Sequence, residues 1–204
     1  MAKDKIKPLL SALETLVNFL SESKVKNTII GGIAASLLGK PRFTADVDGL
    51  IILPEKGLAD FLKKAEIHGL SPRIPGVLEF AKSNRVILLK HRASGINIDL
   101  ALGLLPFEME AIKRAKTYKI GGCRFSLPAP EDLIIMKAVA HRPIDLEDIR
   151  SILEIQSKLD FRHITRRVKE FSKILEMPEV WNDLKNILSE SAKNRTDNRE
   201  IVRL

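Results

Sequence analysis

In the stretch "GGIAASLLGKPRFTADVDGLIIL", residues 31–53, Arg42, Thr44, Asp46 and Asp48 follow one another at two-residue spacing. Side chains of a strand point to alternate faces, so this spacing predicts four polar groups on one face and Phe43, Ala45, Val47 and Ile51 on the other. Two carboxylates stacked on one face repel each other, and something cationic must offset them, either Arg42 with nearby lysines or a divalent metal. Asp99 alternates with Ile98 and Leu100 in "GINIDLALG" and projects from the polar face of a strand in the same way. If that strand neighbours the first, three carboxylates meet. That is the hard oxygen donor set a Mg²⁺ ion takes, and two such ions clamp an in-line phosphoryl displacement. Gly31-Gly32, just ahead of a short apolar helix, offers backbone N–H groups to an anion with no side chain in the way.

The elements that position these residues are legible around them. Leu9, Leu10, Leu13, Leu16, Val17 and Leu20 make one helical stripe over residues 8–20. "NTII" reads as a strand feeding the glycine pair, and "IAASLLG" as a buried helix stopped at Gly39-Lys40-Pro41. A helix over residues 57–67 is followed by a loop marked by Gly69, Pro72, Pro75 and Gly76. "VLEFAKS", "RVILLKH" and "INIDLAL" read as three strands, the last two forming an antiparallel pair across Ser-Gly. "EMEAIKRA" predicts a helix, and "TYKIGGCRFSL" a hairpin at Gly121-Gly122. From Pro130 onward the pattern is helical, with a polar tail, "AKNRTDNREIVRL", expected to fray. The expected organisation is an α+β domain over residues 1–127, a mixed sheet flanked by helices, and a helical C-terminal lobe over residues 128–204.

Composition narrows the partners. A chain of 204 residues that is 45% hydrophobic and 5% aromatic has enough aliphatic side chains for a core, and no apolar run approaches the ~20 residues of a membrane span. The first residues lack the apolar stretch of a secretory signal, and the single cysteine, Cys123, fits a reducing cytoplasm and reads as a small buried hydrophobe. Residues 1–127 hold 20 Lys/Arg against 12 Asp/Glu, whereas residues 128–204 hold 14 of each, so the net charge of +8 lies with the aspartates. A basic surface around an acidic centre suits a polyanionic substrate with metal ions; solubility alone is the plainer explanation.

Gly31-Gly32, then "ADVD", then a lone Asp99 together resemble the nucleotidyltransferases of the DNA polymerase beta superfamily. "IIGGIAASLLGKPRFTADVD" looks most like its toxin-type and antibiotic-type branch, including relatives of abortive-infection (AbiEii) toxins. There Gly-Gly, an Arg, a Thr and Asp-x-Asp recur at this spacing, and "PEDLIIMKAVAHRPIDLEDI" resembles the branch's helical segment. Many members carry Gly-Ser, and here Gly32 replaces the serine. The resemblance implies a Mg²⁺-dependent transfer of a nucleoside monophosphate from an NTP to a hydroxyl, with pyrophosphate released and the nucleotide held between sheet and helical lobe. It implies Asp46 and Asp48 as ligands of two ions, Asp99 as ligand of the catalytic ion and activator of the acceptor, and Gly31 and Gly32 at the β/γ-phosphates. The acceptor class it leaves open is RNA or tRNA, a protein, or a small molecule.

Each residue also has a plainer reading. Asp48-Gly49 as a turn is disfavoured, because the apolar run continues to Leu53. Asp99 reads as a simple hydrogen-bond acceptor or as a ligand. Arg42 and Thr44 either pair with the aspartates or contact phosphate. Lys137, alone among apolar residues, either snorkels or, by the resemblance, reaches the triphosphate; Asp145 reads as an N-cap. His91, His141 and His163 lack metal-ligand spacing. Two further functions stand beside the enzyme: a non-catalytic nucleotide-binding or toxin–antitoxin partner, suggested by Gly32, and a nucleic-acid-binding protein, suggested by "KSNRVILLKHR" and "KRAKTYK", although no aromatic residues interleave them.

Overall fold

The computed structural model describes the backbone of residues 2–120 and 122–201, and side chains of residues 6–120 and 122–193. Helix α1 (Ala2–Glu22) buries Leu13, Leu16 and Leu20 of the predicted stripe together with Phe19, which is not part of it, while Leu9, Leu10 and Val17 are half-buried. Five strands follow: β1 (Lys26–Ile30), β2 (Asp46–Ile52), β3 (Leu70–Pro72), β4 (Val86–His91) and β5 (Asn97–Leu102). They form one sheet in the order β1-β2-β5-β4-β3, with β2 and β5 parallel and every other neighbour antiparallel. Helices α2 (Gly31–Leu38), α3 (Leu58–Ile67), α4 (Val77–Asn84) and α5 (Pro106–Arg114) lie between and after the strands, and β6 (Lys116–Ile120) and β7 (Cys123–Leu127) make a separate hairpin. The chain is therefore α+β, a mixed sheet flanked by helices with further helices at its C-terminal end.

The register divides the sheet into two unlike faces. Val47, Ile51, Ile98, Leu100, Ile87 and Leu89 share one face and are all fully buried. His91 lies on that same face, and its Nε2 is 3.1 Å from Thr15 Oγ1 of α1, so α1 covers it. Phe19 of α1 meets Phe61 of α3 with ring centroids 4.9 Å apart. The opposite face carries Asp46, Asp48, Asn97, Asp99 and Lys90, none of them buried. At the end that carries Asp46, Asp48, Asn97 and Asp99 the pair has one apolar and one wet face, as period-two alternation implies, whereas Leu50 farther along the same face is buried.

Three local expectations are corrected. "VLEFAKS" is the helix α4: Gly76, in the left-handed region at φ 67°, starts it, and Val77 and Ala81, four residues apart, are its buried pair. Residues 42–45 precede β2 rather than extend it. On one side β1 ends with Ile30 opposite Asp48, and on the other β5 begins with Asn97 opposite Asp46, so earlier residues have no neighbouring backbone to pair with. Phe43 is accordingly 63% exposed instead of packed. Strand β3 lies within the stretch read as a loop, with Pro72 tolerated because β3 is at the sheet edge.

The chain divides into two compact units, Met1–Ala34 with Arg42–Ala129, and Ala35–Pro41 with Pro130–Leu204. The second is built on α6 (Pro130–Ala140), α7 (Pro143–Ile155), α8 (Phe161–Ile174) and α9 (Pro178–Ile201), around Ile134, Ile135, Ile149, Ile152, Ile164, Val168 and Leu184. Gln156 ties the segment 35–41 into this unit by donating to the Leu38 carbonyl at 2.7 Å. The tail expected to fray is helical to Ile201, and residues 202–204 and Gly121 of the hairpin lie outside the described residues. No helix among the described residues is long and apolar enough to cross a membrane.

Candidate active site

Parallel pairing of β2 with β5 sets Asp48 directly opposite Asp99, and Asp46 opposite Asn97. Neighbouring strands lie about 4.8 Å apart, so the backbone alone brings Asp48 and Asp99 side by side on the open face, with Asp46 two residues along. Each carboxylate has its own surroundings. Asp46 Oδ1 accepts a hydrogen bond from Thr44 Oγ1 at 2.8 Å. Asp48 lies against Gly31, where a Cβ would overlap its carboxylate and stand 2.5 Å from its Cγ. Asp99 Oδ1 is 2.9 Å from an Arg73 guanidinium nitrogen. That ion pair has no N–H aimed at the oxygen, which is buried and accepts no hydrogen bond.

The glycine pair is required here by close approach. Gly31 ends β1 at φ 63°, which L side chains rarely adopt, and begins α2 under Asp48. At Gly32 a Cβ would overlap Thr44 Oγ1, stand 2.7 Å from Thr44 Cβ, and come within 3.5 Å of an Arg42 guanidinium nitrogen. Arg42 and Thr44 therefore fold over the first turn of α2, a placement the alternation pattern did not indicate.

These residues suit a hard divalent cation by chemistry, three carboxylates that are all oxygen donors, with Asp99 held in an ion pair by Arg73. Their side chains do not stand gathered as a ligand cluster; no group of three or more His, Cys, Asp or Glu at such geometry occurs among the described residues. Arg73 was not singled out by the sequence, since a lone arginine in "SPRIPG" carries no pattern. It is found only because the loop after β3 reaches Leu88, the neighbour of Asp99 on β4.

Lys137 belongs to the helical unit. It is 4% exposed, with its ammonium 2.7 Å from Asp145 and 2.8 Å from Asp148. Asp145 also accepts from Arg142 Nε at 2.6 Å, and it sits inside α7 as its third residue, whereas Arg142 holds the N-cap position expected for Asp145. Burial pushes the Asp145 carboxyl up, but the hydrogen bonds and charges of Arg142 and Lys137 outweigh it and hold the group below its ordinary value. The histidines singled out in the sequence stand apart from the aspartates: His91 between Thr15 and Ser94, His141 against Asp183, His163 against Asp132. Cys123 is buried and its thiol is pushed up by burial and by Glu14, so it stays protonated.

No curated protein matches the chain. Among solved structures, a nucleotidyltransferase-like antigenic protein of Paracoccidioides brasiliensis is 17% identical, with 89% of this chain and 93% of that one covered and a TM-score of 0.47. The lincosamide antibiotic adenylyltransferase LnuA is 14% identical over 74% of this chain and 97% of its own, with a TM-score of 0.49. The antibiotic-resistance factor ANT(2'')-Ia is 14% identical over 98% and 100%, also at 0.49. At these distances no residue role carries across. A family model covers far more directly: residues 9–190 match the one described as "Nucleotidyl transferase of unknown function (DUF2204)", and the chain belongs to that family.

Proposed function

We propose that the chain transfers a nucleoside monophosphate from an NTP to a hydroxyl acceptor, releasing pyrophosphate. The observation that carries this reading is the register: Asp48 and Asp99 opposite one another on parallel strands, with Gly31 packed under Asp48. Gly31 and Gly32, with no side chains of their own, offer backbone N–H groups at the start of α2 to the β- and γ-phosphates, and Arg42 and Thr44, folded over that turn, are further phosphate contacts. Two Mg²⁺ ions held by Asp46, Asp48 and Asp99 would neutralise the triphosphate and acidify the attacking hydroxyl when bound. Asp99 takes the proton of that hydroxyl as its oxygen bonds to the α-phosphorus; the bond from that phosphorus to the bridging oxygen breaks, and pyrophosphate leaves with the electron pair. We assign Lys137 to the ion-pair network of the helical unit instead of to the triphosphate. The single cysteine supports placement in a reducing cytoplasm.

The test is calorimetric titration with ATP, CTP, GTP and UTP in Mg²⁺, repeated on the Asp46→Asn/Asp48→Asn double variant. Metal-dependent binding of at least one nucleotide, lost in the double variant, is expected; a wild type that binds none of the four overturns the proposal.

A second reading is favoured by one observation: the three carboxylates are turned to Thr44, Gly31 and Arg73 and not to a common point. In it the chain keeps the fold as a nucleotide-binding partner, for example in a toxin–antitoxin pair of the AbiEii-like branch. Nucleotide binding without pyrophosphate release on RNA, protein and small-molecule acceptors alike distinguishes it.

A further inference from the structure

The open face continues past the aspartates. One row of side chains runs across the strands from Asp48 through Asp99 and Leu88 to Arg73, whose backbone N–H donates to the Leu88 carbonyl at 3.0 Å. The next row runs from Asp46 through Asn97 and Lys90 to Ser71. Asn97 and Lys90 are exposed, and the Lys90 ammonium makes no ion pair among the described residues. Beyond Asp99, β4 and β3 contribute no carboxylate to the face: β4 presents Leu88 and Lys90, β3 presents Ser71, and Arg73, just after β3, is ion-paired to Asp99 at 2.9 Å.

Position decides which substrate this lane serves. In an in-line displacement the attacking and leaving oxygens lie on opposite sides of phosphorus. With the leaving pyrophosphate at Gly31-Gly32, on the β1 side of the aspartates, the attacking hydroxyl comes from the opposite side, over β5 and β4. We infer, resting on the function proposed above, that Asn97, Lys90, Ser71 and Arg73 line the acceptor's path and that the acceptor carries phosphate. A polycationic acceptor such as an aminoglycoside would meet the exposed Lys90 ammonium there, whereas a phosphate would pair with it. The phosphate comes either from a nucleic-acid backbone or from a small phosphorylated molecule, and the probes separate the two.

The experiment measures, on the full chain, fluorescence anisotropy of a 5′-fluorescein single-stranded RNA 20-mer, titration with ribose 5-phosphate and with tobramycin, and binding of a fluorescent ATP analogue in Mg²⁺. Each is repeated on Lys90→Glu, a change at an exposed position that leaves folding intact. The expected result is RNA binding weakened tenfold or more by Lys90→Glu, with ATP-analogue binding within twofold of wild type. Binding of ribose 5-phosphate but not RNA, with the same dependence on Lys90, supports the inference in its small-molecule form. Phosphate-probe binding indifferent to Lys90→Glu, equal weakening of the ATP analogue, or wild-type binding of tobramycin alone overturns it and leaves the nucleotidyl transfer proposal standing. Failure of the wild type to bind the ATP analogue overturns the donor site and with it the acceptor assignment.

Discussion

Thr44 fills the space beside Gly32 that a longer residue at position 32 would need, since a Cβ there meets Thr44 Oγ1. The hydroxyl missing at Gly32, compared with the Gly-Ser of many relatives, is thus replaced in space by one reaching in from the next segment, which also donates to Asp46. Gly32→Ser is expected to lower stability by about 1–3 kcal/mol through overpacking, and Thr44→Gly in the same chain, which removes both Thr44 atoms that the new Cβ meets, to restore part of it. Thermal unfolding of the two single variants and the double measures that coupling; additive losses would mean the two positions do not compete for one space. At this scale residue type and spacing were legible in the sequence and conformation was not. The aspartates and glycines stood out by type and spacing. Arg42 and Thr44 continued the alternation only on paper, because a strand needs a neighbour and none extends past Asp46.

Among the elements, α6 and α7 are joined by a buried charge cluster. Lys137 removed from water between Asp145 and Asp148 is stable only while all the charges remain, so Asp145→Asn is expected to cost about 3–5 kcal/mol. The Asp145 carboxyl is held below its ordinary value, meaning the unfolded chain binds that proton more readily than the folded one. Its stabilisation is complete above the ordinary carboxylate range and is lost as pH falls through the lowered value. Wild type and Asp145→Asn unfolding curves should therefore converge in acid, and parallel curves would contradict the pairing. His91, on the sheet's buried face, works near neutrality. Burial lowers its value from 6.5, so its contribution is present above that pH and fades as pH falls below it. Melting temperature should drop more steeply between pH 7 and pH 5 in wild type than in His91→Gln. Most elements were readable from hydrophobic period; α4 was not, since eight residues of mixed Leu, Phe, Ala and Val fit either period and only Gly76 marks the start.

Across the whole molecule, the net +8 arises within residues 1–127, the part holding the sheet. Binding of a single-stranded RNA 20-mer should weaken linearly in log-log form as salt rises, each neutralised phosphate contributing about 0.7 to the slope. Lys90→Gln should reduce that slope by about this amount, and an unchanged slope would remove Lys90 from the contact surface. Charge distribution was fully visible in the sequence, whereas which cations face the aspartates was not, because that depends on the strand order. Lys90 lay in a basic cluster along the chain, yet only the pairing of β4 with β5 puts it beside Asn97.

The parallel pairing of β2 with β5 also governs the order in which the protein can be made. Asp48 and Asp99 are separated by α3, β3, α4 and β4, and the strand that pairs with Asp48 leaves the ribosome after all of them. Local hairpins such as β4–β5 can close early, but joining β5 to β2 closes a loop of some fifty residues, a slow step whose entropy is lost before its contacts are gained. Asp48 and Asp99 are therefore expected to become neighbours late in folding, and a nascent or truncated chain ending before β5 lacks the strand that carries Asp99.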